Sequence, residues 1–126
     1  MEIKILDKTW EIVYGNQNNS ILQGRCNGYC NKDEYEIIIS TSLNKQSLAE
    51  TIAHELAHAI IFQLMGAKDT FTDEEVAMFI GTYNAFIANT VDEILNNPNT
   101  PGFLNAHYMN GGDMAYENKY AKKQNR

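Results

Sequence analysis

From Gln46 to Met65 the chain runs without a proline or a glycine, and Gly66 stands where a helix would stop. Leu48, Ile52, Leu56, Ala59 and Ile60, with Gln63 and Leu64, recur at the 3.6-residue period, while the remaining face also holds Ala53, Ala57 and Ile61. The pattern predicts a helix over the whole stretch, capped at Asn44 or Ser47 and buried on most sides. Whatever else the chain forms has to cover it.

The flanking segments supply the cover. Residues 2–6 and 10–14 alternate at period two through Ile3 and Ile5, then Trp10, Ile12 and Tyr14, with Asp7 and Lys8 near a turn, so a hairpin is expected. The turn formers of residues 15–20 precede a weak third strand at Ile21–Cys26, and the β-branched run Tyr35–Ser40 predicts a further strand. A second long helix follows Thr72, with Glu75 three residues on in the capping-box position, and ends at Asn96 or Asn97 before Pro98. The expected class is α+β, with a small, mostly antiparallel sheet packed on two helices.

Length and composition fit one domain. With 126 residues, 44% hydrophobic and 21% charged, the chain can bury a single core. The compact body is expected over residues 1–97, and residues 98–126 are expected to pack on it or trail from it, with Phe103, Leu104, Tyr108 and Met109 available for packing.

Charge bears on the partner. The formal net charge is -6, and residues 117–126 hold four basic residues against one acidic, which leaves six basic against fifteen acidic, or -9, in residues 1–116. Such a body repels a phosphate backbone, so no nucleic-acid partner is expected. No apolar run approaches the length of a membrane span, so no membrane partner is expected either. Met1–Ile12 is charged throughout and lacks an apolar leader core, and a cytoplasmic location is expected. Cys26 and Cys30 are too few for a zinc ribbon or a disulfide framework and read as reduced thiols. The oligomeric state is open.

Two of the three histidines, His54 and His58, lie one turn apart on the long helix, with Glu55 beside the first. Residues four apart share a helical face, so both imidazoles can point at one metal ion. Glu55 sits about 100° around the helix, off the ligand line but next to the metal, where a carboxylate can take a proton from a zinc-bound water and pass it to a leaving amine. This is the arrangement of the HExxH motif. A third protein ligand is needed. Asp73, Glu74, Glu75, His107 and, less favourably, the cysteines are the candidates. Glu75 shares its face with Met78, Phe79, Thr82 and Phe86 and leads; Glu74 shares its face with Ala77, Met78 and Gly81. No oxyanion stabiliser stands out, with Tyr83, His107 and Tyr108 as candidates.

A short sheet, an HExxH helix and a second helix opening with Asp73-Glu74-Glu75-Val76-Ala77-Met78-Phe79 resemble the compact, gluzincin-type metallopeptidase-like proteins of phages and prophages. The layout is also similar, at greater distance, to the ImmA/IrrE and SprT-like zinc peptidases. The resemblance runs from about Gly28 to Asn97. In the ImmA/IrrE pattern a ligand Glu opens the run Glu-Ala-Asn-x-Phe, which Glu75–Phe79 matches with Glu75 in the ligand position. Phe62 stands where a further His often follows, and the Cys-rich ribbon of many SprT-like proteins is missing. The resemblance implies a minimal zincin-like domain binding Zn²⁺ through His54, His58 and Glu75. It would hydrolyse peptide bonds of a protein or peptide substrate with Glu55 as general base. A zinc-stabilised peptide-binding module of phage or prophage origin that does not cut is the alternative.

Overall fold

A computed structural model describes residues 1–16 and 18–100. Strand β1 (Glu2–Ile5) pairs antiparallel with β2 (Lys8–Gly15) through Ile5 opposite Lys8, so the hairpin turns on Leu6 and Asp7, with Lys8 next to it as expected. Leu6 takes a left-handed φ of 56°, the backbone demanded at the first central position of a type II′ turn. Strands β3 (Gly28–Asn31) and β4 (Glu36–Ser40) form a second antiparallel hairpin, and β4 lies parallel to β2. The order is β1-β2-β4-β3, a four-stranded mixed sheet with helices on one side, and the class is α+β.

The third strand is displaced from its expected place. Residues 21–25 form turns, with Gln23 and Gly24 both at left-handed φ, which no strand accommodates. The pairing strand is instead Gly28–Asn31, half-exposed at the sheet edge and therefore without an alternating apolar signature. Tyr35 was expected to open the next strand. Its φ of 52° holds it outside, and its carbonyl accepts a hydrogen bond from the Glu11 amide (3.0 Å).

Helix α1 (Lys45–Met65) is capped by Asn44, whose side chain accepts from the Ser47 amide (2.9 Å), and it ends at Gly66, whose amide donates to the Phe62 carbonyl. Helix α2 (Asp73–Leu95) opens on the expected capping box between Thr72 and Glu75. The core is laid down between the sheet and the helices: Ile3, Ile5, Trp10, Ile12, Cys30, Ile37 and Ile39 meet Leu48, Ile52, Leu56, Ala59 and Ile60 of α1, with Val91 and Ile94 of α2. Leu22 and Ile38 are also buried but stand outside this cluster. Period-two alternation puts Ile38 on the opposite sheet face from Ile37 and Ile39.

One line of α1 escapes burial. Gln46, Glu50, His54 and His58, spaced by four, are all exposed, so the helix is less enclosed than its composition implies. Thr100 is buried, donates to the Ile94 carbonyl (2.6 Å) and accepts from the Tyr14 hydroxyl (3.3 Å). Residues 101–126 lie outside the described residues, and with them the readings made for His107 and Tyr108 and nearly all of those made for the segment after Asn97.

Candidate metal centre

The His54 and His58 part of the exposed line of α1 faces a cleft of about 460 Å³ whose other wall is β3 and the turn that follows it, Gly28–Asp33. His54, Glu55 and His58 form the helical wall. The wall can come so close because residue 28 has no side chain: a Cβ there would fall 2.7 Å from Thr51 Cγ2 and 3.1 Å from Glu55 Cγ.

The histidine rings stand edge to face with centroids 4.7 Å apart, and their Nε2 atoms converge to 3.1 Å. Two nitrogens bound to one tetrahedral zinc ion at about 2.0–2.1 Å each would stand about 3.3–3.4 Å apart. The pair therefore fits such an ion within a few tenths of an ångström. Partial burial and the neighbouring charges of His54 and Lys32 push the His58 pKa down, which favours the neutral imidazole a metal requires.

Glu55 is 6% exposed although it is charged. Burial raises its pKa above the ordinary carboxylate range, with His54 and Lys32 pulling the other way. A carboxylate kept from water beside two imidazoles is a stronger base than a surface glutamate. Cys30, also lining the cleft, is a neutral thiol: burial and the nearby Glu55 push its pKa up to about 12.

Glu75 is not brought to the histidines. Its carboxylate accepts from the Thr72 amide (2.9 Å) and pairs with the Lys68 ammonium, and it does not line the cleft. Those two partners hold its pKa low. Among the described residues no third His, Cys, Asp or Glu joins His54 and His58 in a group that could hold a metal ion. Sequence reasoning missed the β3 wall altogether. Tyr29, Asn31 and Lys32 sit in a polar stretch that reads as a turn, and only the glycine at position 28 hints at a close approach.

The profile of the SprT-like family matches residues 11–75, just over half of the chain, from within β2 to the first turn of α2. The chain belongs to the SprT-like family. The family is zinc metallopeptidase-like, and in this SprT-like chain the matched region encloses the whole cleft and ends on Glu75. No curated protein and no solved structure matches the chain. Among the described residues no helix is long and apolar enough to cross a membrane.

Proposed function

We propose that this SprT-like chain is a zincin-like, zinc-dependent metallopeptidase, with His54, His58 and Glu75 as metal ligands and Glu55 as general base. The observation that carries the reading is the convergence of the two Nε2 atoms beside a buried carboxylate in an open cleft. Bound zinc would supply Lewis acidity for the scissile carbonyl and for water. The chain's own groups do the rest. Glu55, with its raised pKa, accepts the proton of the attacking water and returns it to the leaving amine.

Glu75 reaches the metal only by leaving its cap and its ion pair. Losing a cap costs about 1 kcal/mol, which a third metal–ligand bond readily offsets. Its place on the inward line of α2 with Phe79, Tyr83 and Phe86, all packed against the core, supports the assignment.

A protein or peptide substrate suits the cleft better than a nucleic acid. Among the described residues β3 ends the sheet with one backbone edge unpaired, and an extended peptide can add there as a further strand. β4, the strand beside it, is paired on both sides and offers no such edge. The acidic body disfavours phosphate.

Elemental analysis tests the reading. About one zinc per chain is expected in the wild type, with loss in His54→Ala and in Glu75→Ala. Glu55→Gln should keep the metal and slow cleavage of a peptide library by roughly 10²- to 10⁴-fold. A wild type that takes up no zinc on reconstitution overturns it.

The engaged state of Glu75 favours one rival, a zinc-stabilised peptide-binding module that does not cut. That reading expects peptide binding that Glu55→Gln leaves unchanged, with no cleavage by the wild type.

A further inference from the structure

The contacts across the cleft fix the direction of its two walls. Gly28, which opens β3, lies against Thr51 and Glu55, while Lys32, the residue after β3 ends, holds its ammonium 5.8 Å from the centroid of the Phe62 ring. β3 therefore runs along α1 in the same direction. Phe62 is four residues on from His58, one helical turn or about 5.4 Å, so Lys32 stands at the end of the cleft beyond the histidines. Its side chain is half-buried, and among the described residues it is the one Lys or Arg lining the cleft and forms no ion pair. Asp33 lines the cleft too, but it is exposed and is not paired with Lys32. A cation kept partly from water without a counter-ion is short of an anion. Phe62 packs against the core and covers one side of the ammonium, whose other hydrogens are left to donate. The charge also reaches the neighbouring groups: burial dominates the pKa values of Cys30, Glu55 and His58, and Lys32 pulls all three down.

We propose that Lys32 is a specificity-determining residue that takes a carboxylate of the bound peptide, one or two residues from the bond held at the histidines. The proposal rests on the reading of the cleft as a peptide site. A peptide added along the free edge of β3 passes the histidines and then Lys32. One helical turn of about 5.4 Å corresponds to between one and two residues of extended chain at about 3.3 Å each. An Asp or Glu side chain and a C-terminal carboxylate present the same group there, and either makes a charge-assisted hydrogen bond to the ammonium. The body is acidic overall, so recognition of a carboxylate needs a local cation, and among the described residues Lys32 is the one the cleft provides.

The test measures binding of synthetic octapeptides to the full-length Glu55→Gln chain, so that no peptide is consumed, with and without zinc, so that the outcome does not hang on the metal. One set carries Glu at successive positions, matched sets carry Gln or Lys there, and each peptide is made with a free and with an amidated C-terminus. Glu at one position should bind about tenfold tighter than Gln, and the preference should shrink as salt rises. A similar gain for the free terminus over the amide, wherever Glu stands, assigns the carboxylate to the peptide's end. Lys32→Met should abolish the preference and Lys32→Arg should keep it. Lys32→Glu should turn it into a preference for Lys over Gln, which a merely structural role for the residue would not produce. Peptides that bind without a carboxylate preference, or with one that Lys32→Met leaves unchanged, overturn the proposal and leave the peptide cleft standing. A chain that binds none of the peptides overturns both.

Discussion

Gly28 and Glu55 meet so closely that a methyl group on the glycine would lie 3.1 Å from Glu55 Cγ and 3.2 Å from its Oε2. The contact joins the edge strand to the helix at the residue whose carboxylate the proposed chemistry uses. It also explains how Glu55 is buried while its neighbours His54 and His58 stay exposed: the backbone of β3, with no side chain interposed, covers it.

Gly28→Ala should therefore harm both stability and the site. The tighter clash, 2.7 Å, is with Thr51 Cγ2. Overpacking of this kind costs about 1–3 kcal/mol, to be read from the urea midpoint. Thr51→Ser removes the clashing methyl and should restore part of the loss in the double variant. If Gly28→Ala is as stable as the wild type, the wall is looser than described.

Zinc should stabilise the fold through the two imidazoles. At a free zinc concentration a hundred times its Kd, linkage predicts about 2.7 kcal/mol of added stability. The rise in thermal midpoint should vanish with chelator and in His54→Ala or His58→Ala. A rise of equal size in those variants would place the metal elsewhere.

Much of this was legible in the sequence, and what was not has a physical cause. Helix α1 announced itself by its unbroken run and by Asn44 and Gly66 at its ends, and α2 by the reciprocal Thr72 and Glu75 pair; both depend on local chemistry. The β1–β2 hairpin is local too. The parallel pairing of β2 with β4 joins segments separated by a whole loop and β3, and periodicity says nothing about which strand a strand will neighbour. β3 was missed because an edge strand needs few apolar residues. The histidine pair was visible as a spacing, but the wall facing it was not. Glu75 displayed two roles at once, cap and ligand, and the structure holds it in the first.

Thiol chemistry should separate the two cysteines. Cys26 is exposed, whereas Cys30 is buried and its pKa is pushed up to about 12, so almost none of it is thiolate at pH 8. Alkylation of the native protein at that pH should label Cys26 quickly and Cys30 only after denaturation, as read by peptide mass mapping. Equal labelling would mean that β3 opens readily from α1.

Tyr14 links alkaline stability to the end of the described chain. Burial raises its pKa above the ordinary tyrosine value. The folded state thus keeps the phenolic proton to a higher pH than the unfolded state does. Its contribution is fully present below the unfolded pKa of about 10 and is lost as pH rises through the folded value. Tyr14→Phe should cost about 0.5–1.5 kcal/mol at pH 7 through the missing hydrogen bond. It should also flatten the decline in stability above pH 10, measured by urea unfolding across pH 8–11. Thr100→Val breaks the same bond but leaves the phenol in place, so its decline should persist. An unchanged alkaline slope in Tyr14→Phe would show that the phenol titrates alike in both states and that the Thr100 contact does not anchor the chain there.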